Sequence, residues 1–121
     1  MMNLLKGMFG QAGEQIDVRE AARRLDAGAV MLDVREPGEY AGGHAPSARL
    51  LPLGLIRAGG SAAVDGLGLP ENAAEVLLIC HSGMRSRMAQ GILSADTRRR
   101  YVNVSGGMSA WAAQGLPVAQ K

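Results

Sequence analysis

The chain has very little of what most catalytic sites are built from. It contains one cysteine, two histidines, one tryptophan and one phenylalanine in 121 residues. A single cysteine cannot close an intrachain disulfide, and Cys80, His44 and His81 are too few for an ordinary zinc site. No metal and no cofactor is called for. Aromatic residues make up only 3% of the chain, so the core must be aliphatic. Excess charge of either sign is also small, with a net charge of +2. The only basic run, Arg98, Arg99 and Arg100, lacks the interleaved aromatics of a nucleic-acid surface and is expected to form a solvated face after a helix. No apolar run approaches the length of a membrane span, and Lys6 with two glycines interrupts the apolar N-terminus before a signal-peptide core could form. The expected setting is the cytoplasm, with neither nucleic acid nor membrane as a partner.

What is present is an ordinary globular composition, 47% hydrophobic and 20% charged, of the size of one domain. Residues 1–14 are expected to be a loose leader and residues 15–121 a single domain. Within it, strand-like and helix-like segments alternate. "QIDVREAARRLDAG" places Asp17 three residues before Glu20, a helix-start spacing, and closes on Gly28; Val18, Ala21, Ala22 and Leu25 share one face. "AVMLDV" is a short apolar strand ended by charge and Pro37. "PGEYAGGH" reads as a brief helical turn and "ARLLPL" as a weak strand. "GLIRAGGSAAVDGLGLPENAAE" reads as one short helix and a long irregular stretch. "EVLLIC" is apolar throughout, as a central parallel strand should be. "SRMAQGILSAD" follows as a helix with Met88, Ile92 and Leu93 on one side, then "YVNVS" as a strand and "GGMSAWAAQG" as a last helix. Such alternation predicts an α/β fold with an open parallel sheet covered on both faces.

That frame gives the lone cysteine a setting. A solitary cysteine is most often a small buried hydrophobe. Cys80, however, closes the most buried strand, at the sheet edge where open α/β folds bind ligands. A loop between that strand and a following helix turns backbone N–H groups inward, and the helix start adds partial positive charge. Gly83 frees the backbone to turn, Ser82 and Ser86 supply hydroxyls, and Arg85 supplies a permanent cation. Together these favour thiolate over thiol, so Cys80 is expected to be nucleophilic.

Three stretches in order, "MLDVREPGEYAGGHAPSARLLPL", "CHSGMRS" and "SGGMSAWAAQGLPV", resemble the signatures of the rhodanese-like family, across Ile16 to Val118. The resemblance implies an open, mostly parallel five-stranded sheet with helices on both faces, and a sulfurtransferase chemistry. Cys80 would accept a sulfane sulfur as a persulfide from a small donor such as thiosulfate. It would pass the sulfur to cyanide, to a thiol, or to a thioredoxin-like or other sulfur-acceptor protein. His81, Ser82, Gly83, Met84, Arg85 and Ser86 would cradle the substrate, and Asp33 and Arg35 would support the loop from the neighbouring strand end. Cys80 to Arg85 is Cys-x4-Arg, one residue shorter than the Cys-x5-Arg loop of related cysteine phosphatases, and the tighter bowl suits sulfur better than a phosphoryl group. A carrier module that hands sulfur to a protein partner stays open beside the enzyme reading. Two departures stand out. The family's usual "GHIPGA" is here "GHAPSA", and Glu39 stands where some two-domain members use an arginine to hold thiosulfate. Glu39 would repel that dianion if it faced the pocket. His44 is expected to bond backbone in a turn, and Met108 and Trp111 to pack a helix.

Overall fold

The apolar strands dictate the architecture, because a strand that is hydrophobic on both faces needs a layer on each side. The structure, a computed structural model, describes residues 13–120. Five strands, β1 (Glu14–Ile16), β2 (Val30–Asp33), β3 (Arg49–Leu50), β4 (Glu75–Ile79) and β5 (Arg100–Val104), form one sheet in the order β1-β5-β4-β2-β3. Every pairing is parallel. The helices are α1 (Val18–Asp26), α2 (Pro37–Ala41), α3 (Leu53–Gly59), α4 (Ser61–Asp65), α5 (Met84–Leu93) and α6 (Gly107–Ala113).

Side-chain parity along the strands creates two cores. Leu77 and Ile79 of β4 join Met31, Val102 and Val104 against Val18 and Ala21 of α1 and Met108 and Trp111 of α6. Val76, Leu78 and Cys80 join Leu32, Val34 and Tyr101 against Leu53 and Ile56 of α3, Val64 of α4, and Ala89 and Leu93 of α5. Helices therefore cover both faces, as expected. Each fully buried Leu or Ile contributes about 1.5–3 kcal/mol relative to exposure, which makes β4, at the centre of the order, the best anchored platform in the sheet.

Local signals account for most element boundaries. Asp17 caps α1, its carboxylate accepting the Glu20 amide at 2.9 Å, and Gly28 takes up φ 107° after the helix. Pro37 opens α2. Three expectations are corrected. Glu14–Ile16 form a strand, paired from Glu14 opposite Val102 to Ile16 opposite Val104; three residues are too short to show alternation. Of the expected leader, residues 1–12 lie outside the described residues, and Glu14 belongs to β1. The stretch after "GLIRAG" is a second helix, α4, set off from α3 by Gly60 at φ 58°, ψ −140°. Third, the buried face of α5 is Ser86, Ala89, Gln90 and Leu93, whereas Met88 and Ile92 are exposed. The helix starts at Met84, earlier than "SRMAQ" suggested, and its polar Ser86 and Gln90 face inward. Gln90 is satisfied there: its Nε2 donates to the Glu14 and Tyr101 carbonyls, both at 2.9 Å, tying α5 to β1 and β5.

The basic run lies largely in ion pairs. Arg98 and Arg99 pair with Asp65 and Asp96, and Arg100 with Glu75. No described helix is long and apolar enough to cross a membrane.

Candidate active site

β4 ends at Ile79, and Cys80 is the first residue beyond it, still buried on the α5 side of the sheet. The chain turns through His81, Ser82 and Gly83 and enters α5 at Met84. Gly83 holds φ 107° at the helix N-cap, and a Cβ there would sit 3.3 Å from the Gly106 amide nitrogen, so glycine answers both the turn and the close approach. The expected turn role of Gly83 is what the backbone shows.

The turn brings donors to the sulfur. The Gly83 amide lies 3.1 Å from Cys80 Sγ and the Ser86 hydroxyl 3.4 Å from it. Ser86 Oγ is also 3.2 Å from the Gly83 carbonyl. Its single proton has two acceptors, and an anionic sulfur is the stronger of them. Burial pushes the Cys80 thiol up, but hydrogen bonds from the Ser86 side chain and the Ser86, Gly83 and Ser82 amides outweigh it and hold the thiol below its ordinary value. The first turn of α5 adds its positive dipole end.

The loop is held from outside by α6. The Met108 amide donates to the Cys80 carbonyl at 2.7 Å and the Ser109 amide to the His81 carbonyl at 2.9 Å. These bonds point the loop's carbonyls away from the sulfur. They require a backbone without a side chain at Gly107, which has φ 53° and where a Cβ would collide with the Cys80 carbonyl and come within 2.7 Å of the His81 carbonyl carbon. Gly107 was not legible as part of the site, because it carries no side chain to mark it in the sequence. The signal was the Gly106-Gly107 pair at a strand–helix junction, where paired glycines mark a close backbone approach. Asn103 of β5 was missed as well. It is buried, and its Nδ2 donates to Gln15 Oε1 at 2.6 Å and lies 3.4 Å from the Gly83 carbonyl.

The remaining expected site residues divide. His81, Ser82 and Met84 are exposed at the loop. Arg85 does not face the sulfur unopposed: its guanidinium makes a two-pronged pair with Glu39 of α2, at 2.7 and 2.9 Å. Arg85 beside it, with the Glu36 amide, holds the Glu39 carboxyl down to about 2 against partial burial. Asp33 and Arg35 form a buried pair, with Arg35 Nη2 2.8 Å from Asp33 Oδ2 and 2.7 Å from the Gly43 carbonyl. Removing one partner of such a pair costs about 3–5 kcal/mol. Their hydrogen-bond partners are each other and the Gly43 turn, so they brace the segment that carries Glu39, and the Asp33 charge also acts on Arg85 across space. His44 behaves as a turn residue. It stacks on Tyr40 with ring centroids 3.7 Å apart, its Nδ1 lies 2.7 Å from the Tyr40 carbonyl, and its backbone bridges Ala119.

Residues 17–114 match the family model for the rhodanese-like domain. The chain belongs to the rhodanese-like family. A sulfurtransferase of Allochromatium vinosum is 37% identical over 106 residues, which cover 86% of this chain and 92% of that protein. A Bacillus subtilis protein named as a putative sulfur carrier, YrkF, is 37% identical over 81 residues, covering 67% of this chain but only 40% of that protein. Among solved structures, a rhodanese-related protein from Thermoplasma volcanium superposes with a TM-score of 0.74 at 27% identity, over 89% of this chain and 99% of that one. These relatives tie the chain to sulfur transfer in general. The fold alone would not: a Rhodopseudomonas palustris protein described as a possible tyrosine phosphatase superposes with a TM-score of 0.75 at 20% identity, over 91% of this chain and 87% of that one.

Two outcomes test this geometry. Replacing Ser86 with Ala removes one donor to the sulfur. The midpoint of Cys80 alkylation rate against pH, below the free-thiol value of about 8.5 in the parent, should move upward. Because folding depresses this pKa, the parent's stability rises with pH through the Cys80 midpoint and reaches its full gain above the unfolded value. Ser86→Ala should flatten that rise in urea titrations. For Gly107→Ala, the added methyl displaces the Cys80 and His81 carbonyls. Sulfur loading should fall by about a hundredfold, the loss typical of one misplaced oxyanion donor, while far-UV circular dichroism stays unchanged.

Proposed function

We propose that the chain is a sulfurtransferase in which Cys80 carries the sulfur as a persulfide. The observation that carries this reading is the convergence of the Gly83 amide and the Ser86 hydroxyl on Cys80 Sγ, inside a loop of the Cys-x4-Arg length. The thiolate attacks the outer sulfur of a sulfane donor. With thiosulfate, the donor's S–S bond breaks and sulfite leaves with the bonding pair. An acceptor thiolate or cyanide then attacks the terminal sulfur, and Cys80 departs as the thiolate it began as. The same donors that stabilise the thiolate stabilise the anionic terminal sulfur between the two steps. Ser82, His81 and Met84 line the exposed rim through which donor and acceptor arrive. The near-complete burial of Cys80 favours slim reacting groups over a tetrahedral phosphoryl group, which agrees with the loop length and stands against the phosphatase alternative. A thiol that must stay reduced between turnovers suits the cytoplasm.

The Arg85–Glu39 pair favours a particular form of this reading. It neutralises Arg85, the cation within the Cys-x4-Arg loop, so a small dianion such as thiosulfate gains little from that guanidinium. Sulfur delivered to and from protein partners, as by a carrier, has no such need for charge. The pair itself is partly exposed and is worth about 0–1 kcal/mol to stability; its effect is on which donor binds.

The decisive experiment is intact mass after incubation with thiosulfate or a persulfide donor. The parent should become one sulfur atom heavier and lose that mass on addition of cyanide, and Cys80→Ser should do neither while remaining folded. If Cys80→Ser gains and discharges sulfur like the parent, the covalent mechanism is wrong. The donor reading has its own variant. Glu39→Gln frees Arg85 and should raise kcat/KM for thiosulfate about tenfold, mainly through KM, consistent with the removal of one repelling charge near a dianion. An unchanged KM would show that Glu39 does not set donor choice.

A further inference from the structure

The outward face of α5 carries apolar side chains beside the Cys80 loop. Met84, Met88 and Ile92 stand in one row at four-residue spacing, 75%, 47% and 37% exposed, and they are three of the five exposed large hydrophobic side chains among the described residues. The row begins inside the Cys80 loop, directly after Gly83. It runs two turns, about 12 Å, which is longer than cyanide or a small thiol can use. Beside it lies a cleft of about 510 Å³, walled by Met84 and Met88 on one side and by Asn103, Ser105 and Gly106 on the other. Asn103 Oδ1, at the buried base of that cleft, accepts no hydrogen bond among the described residues.

Charge says what fits there. Arg87 lines the cleft side of the row. On the other side Arg57 reaches across from α3, its Nη2 3.8 Å from the Met88 sulfur. Like Arg19 and Arg49, neither has a carboxylate within ion-pair distance among the described residues, whereas Arg23, Arg24, Arg35, Arg85, Arg98, Arg99 and Arg100 do; what sets Arg57 and Arg87 apart is that they flank the row. An apolar row between two unopposed cations complements a segment in which apolar side chains alternate with acidic ones.

We propose that the Met84–Met88–Ile92 row and its cleft are the docking surface for a protein acceptor of the Cys80 sulfur. The acceptor presents its thiol on an extended segment of mixed apolar and acidic residues. This rests on the sulfur-transfer reading and adds the partner's chemistry and the place where it binds. Sulfur passes as above: the acceptor thiolate attacks the terminal sulfur, its own persulfide forms, and Cys80 leaves as thiolate. Three or four extended residues match the length of the row, with the acceptor thiol at its Met84 end, next to the loop.

The full chain, loaded with sulfur from thiosulfate or a persulfide donor and desalted, tests this with three synthetic cysteine peptides. In one, leucine and glutamate flank the cysteine; in the second, lysine replaces the glutamate; in the third, serine replaces the leucine. Transfer, followed by mass, should be about tenfold faster to the first peptide than to either other at low salt, with the charge preference shrinking as salt rises. Arg87→Glu should reverse the glutamate-over-lysine preference and Met88→Ser should reduce the leucine preference, with discharge to cyanide unchanged in both. Equal rates to all three peptides, or preferences that persist in both variants, would overturn the proposal. So would a dimer in sedimentation that Met88→Ser dissolves, since a second copy would then occupy the row. Failure of the parent to load sulfur from either donor or to discharge it to cyanide would instead strike the sulfur-transfer reading beneath it.

Discussion

Two hydrogen bonds outside the sulfur pocket decide what the pocket can do. The Met108 and Ser109 amides, at the start of α6, take up the carbonyls of Cys80 and His81. A peptide unit is rigid, so holding its carbonyl on one side commits its N–H to the other. With those carbonyls turned toward α6, the N–H groups of the same peptides, those of His81 and Ser82, are turned the other way, and the Ser82 amide joins the Gly83 amide in lowering the Cys80 pKa. The bonds are made only because Gly107 has no side chain at a point where one would strike the loop. β4 supports the same arrangement from below, since its central place in the sheet leaves the start of the loop little room to move.

Electrostatics at the site are built from dipoles more than from charge. The residue expected to supply positive charge, Arg85, is paired with Glu39. What lowers the Cys80 pKa against its burial is the set of neutral donors, the Ser86 hydroxyl and the loop amides. Neutral donors stabilise an anionic sulfur without attracting every dianion in solution, so in the proposed reaction the reactivity of the thiol and the recognition of its donor become separable. The outer surface of α5 continues that separation, with apolar and cationic groups that take no part in holding the sulfur placed next to the loop that does.

The sheet illustrates how much local pattern can carry. β2 and β4 were readable as apolar runs because parallel strands buried on both faces lose the polar alternation of a surface strand. β1 was not, since three residues with one buried position carry no period, and its identity as a strand comes from its pairing with β5. On α5 the sequence placed Met88 and Ile92 inside with Leu93. The structure buries Gln90 and Ser86 instead, because Gln90 finds backbone carbonyls of β1 and β5 to bond and Ser86 finds the sulfur. Hydrophobicity ranks side chains by their cost in water; it cannot see partners waiting in the interior.

The sequence alone therefore determined the fold class and the alternation of strand and helix from Asp17 onward, and it singled out the loop from Cys80 to Ser86 as the candidate site. All of these are local properties: runs of apolar residues, caps, and a glycine-containing turn of set length between a strand and a helix. Tertiary structure alone decided that Glu39 answers Arg85, that Asp33 and Arg35 bond one another and the Gly43 turn, that Gly107 and Asn103 belong to the loop's surroundings, and that Met84 and Met88 face outward. Each of these joins residues distant in the chain, or depends on which carbonyl or amide stands opposite. Such pairings are set by how the layers stack on the sheet, and no short stretch of sequence contains them.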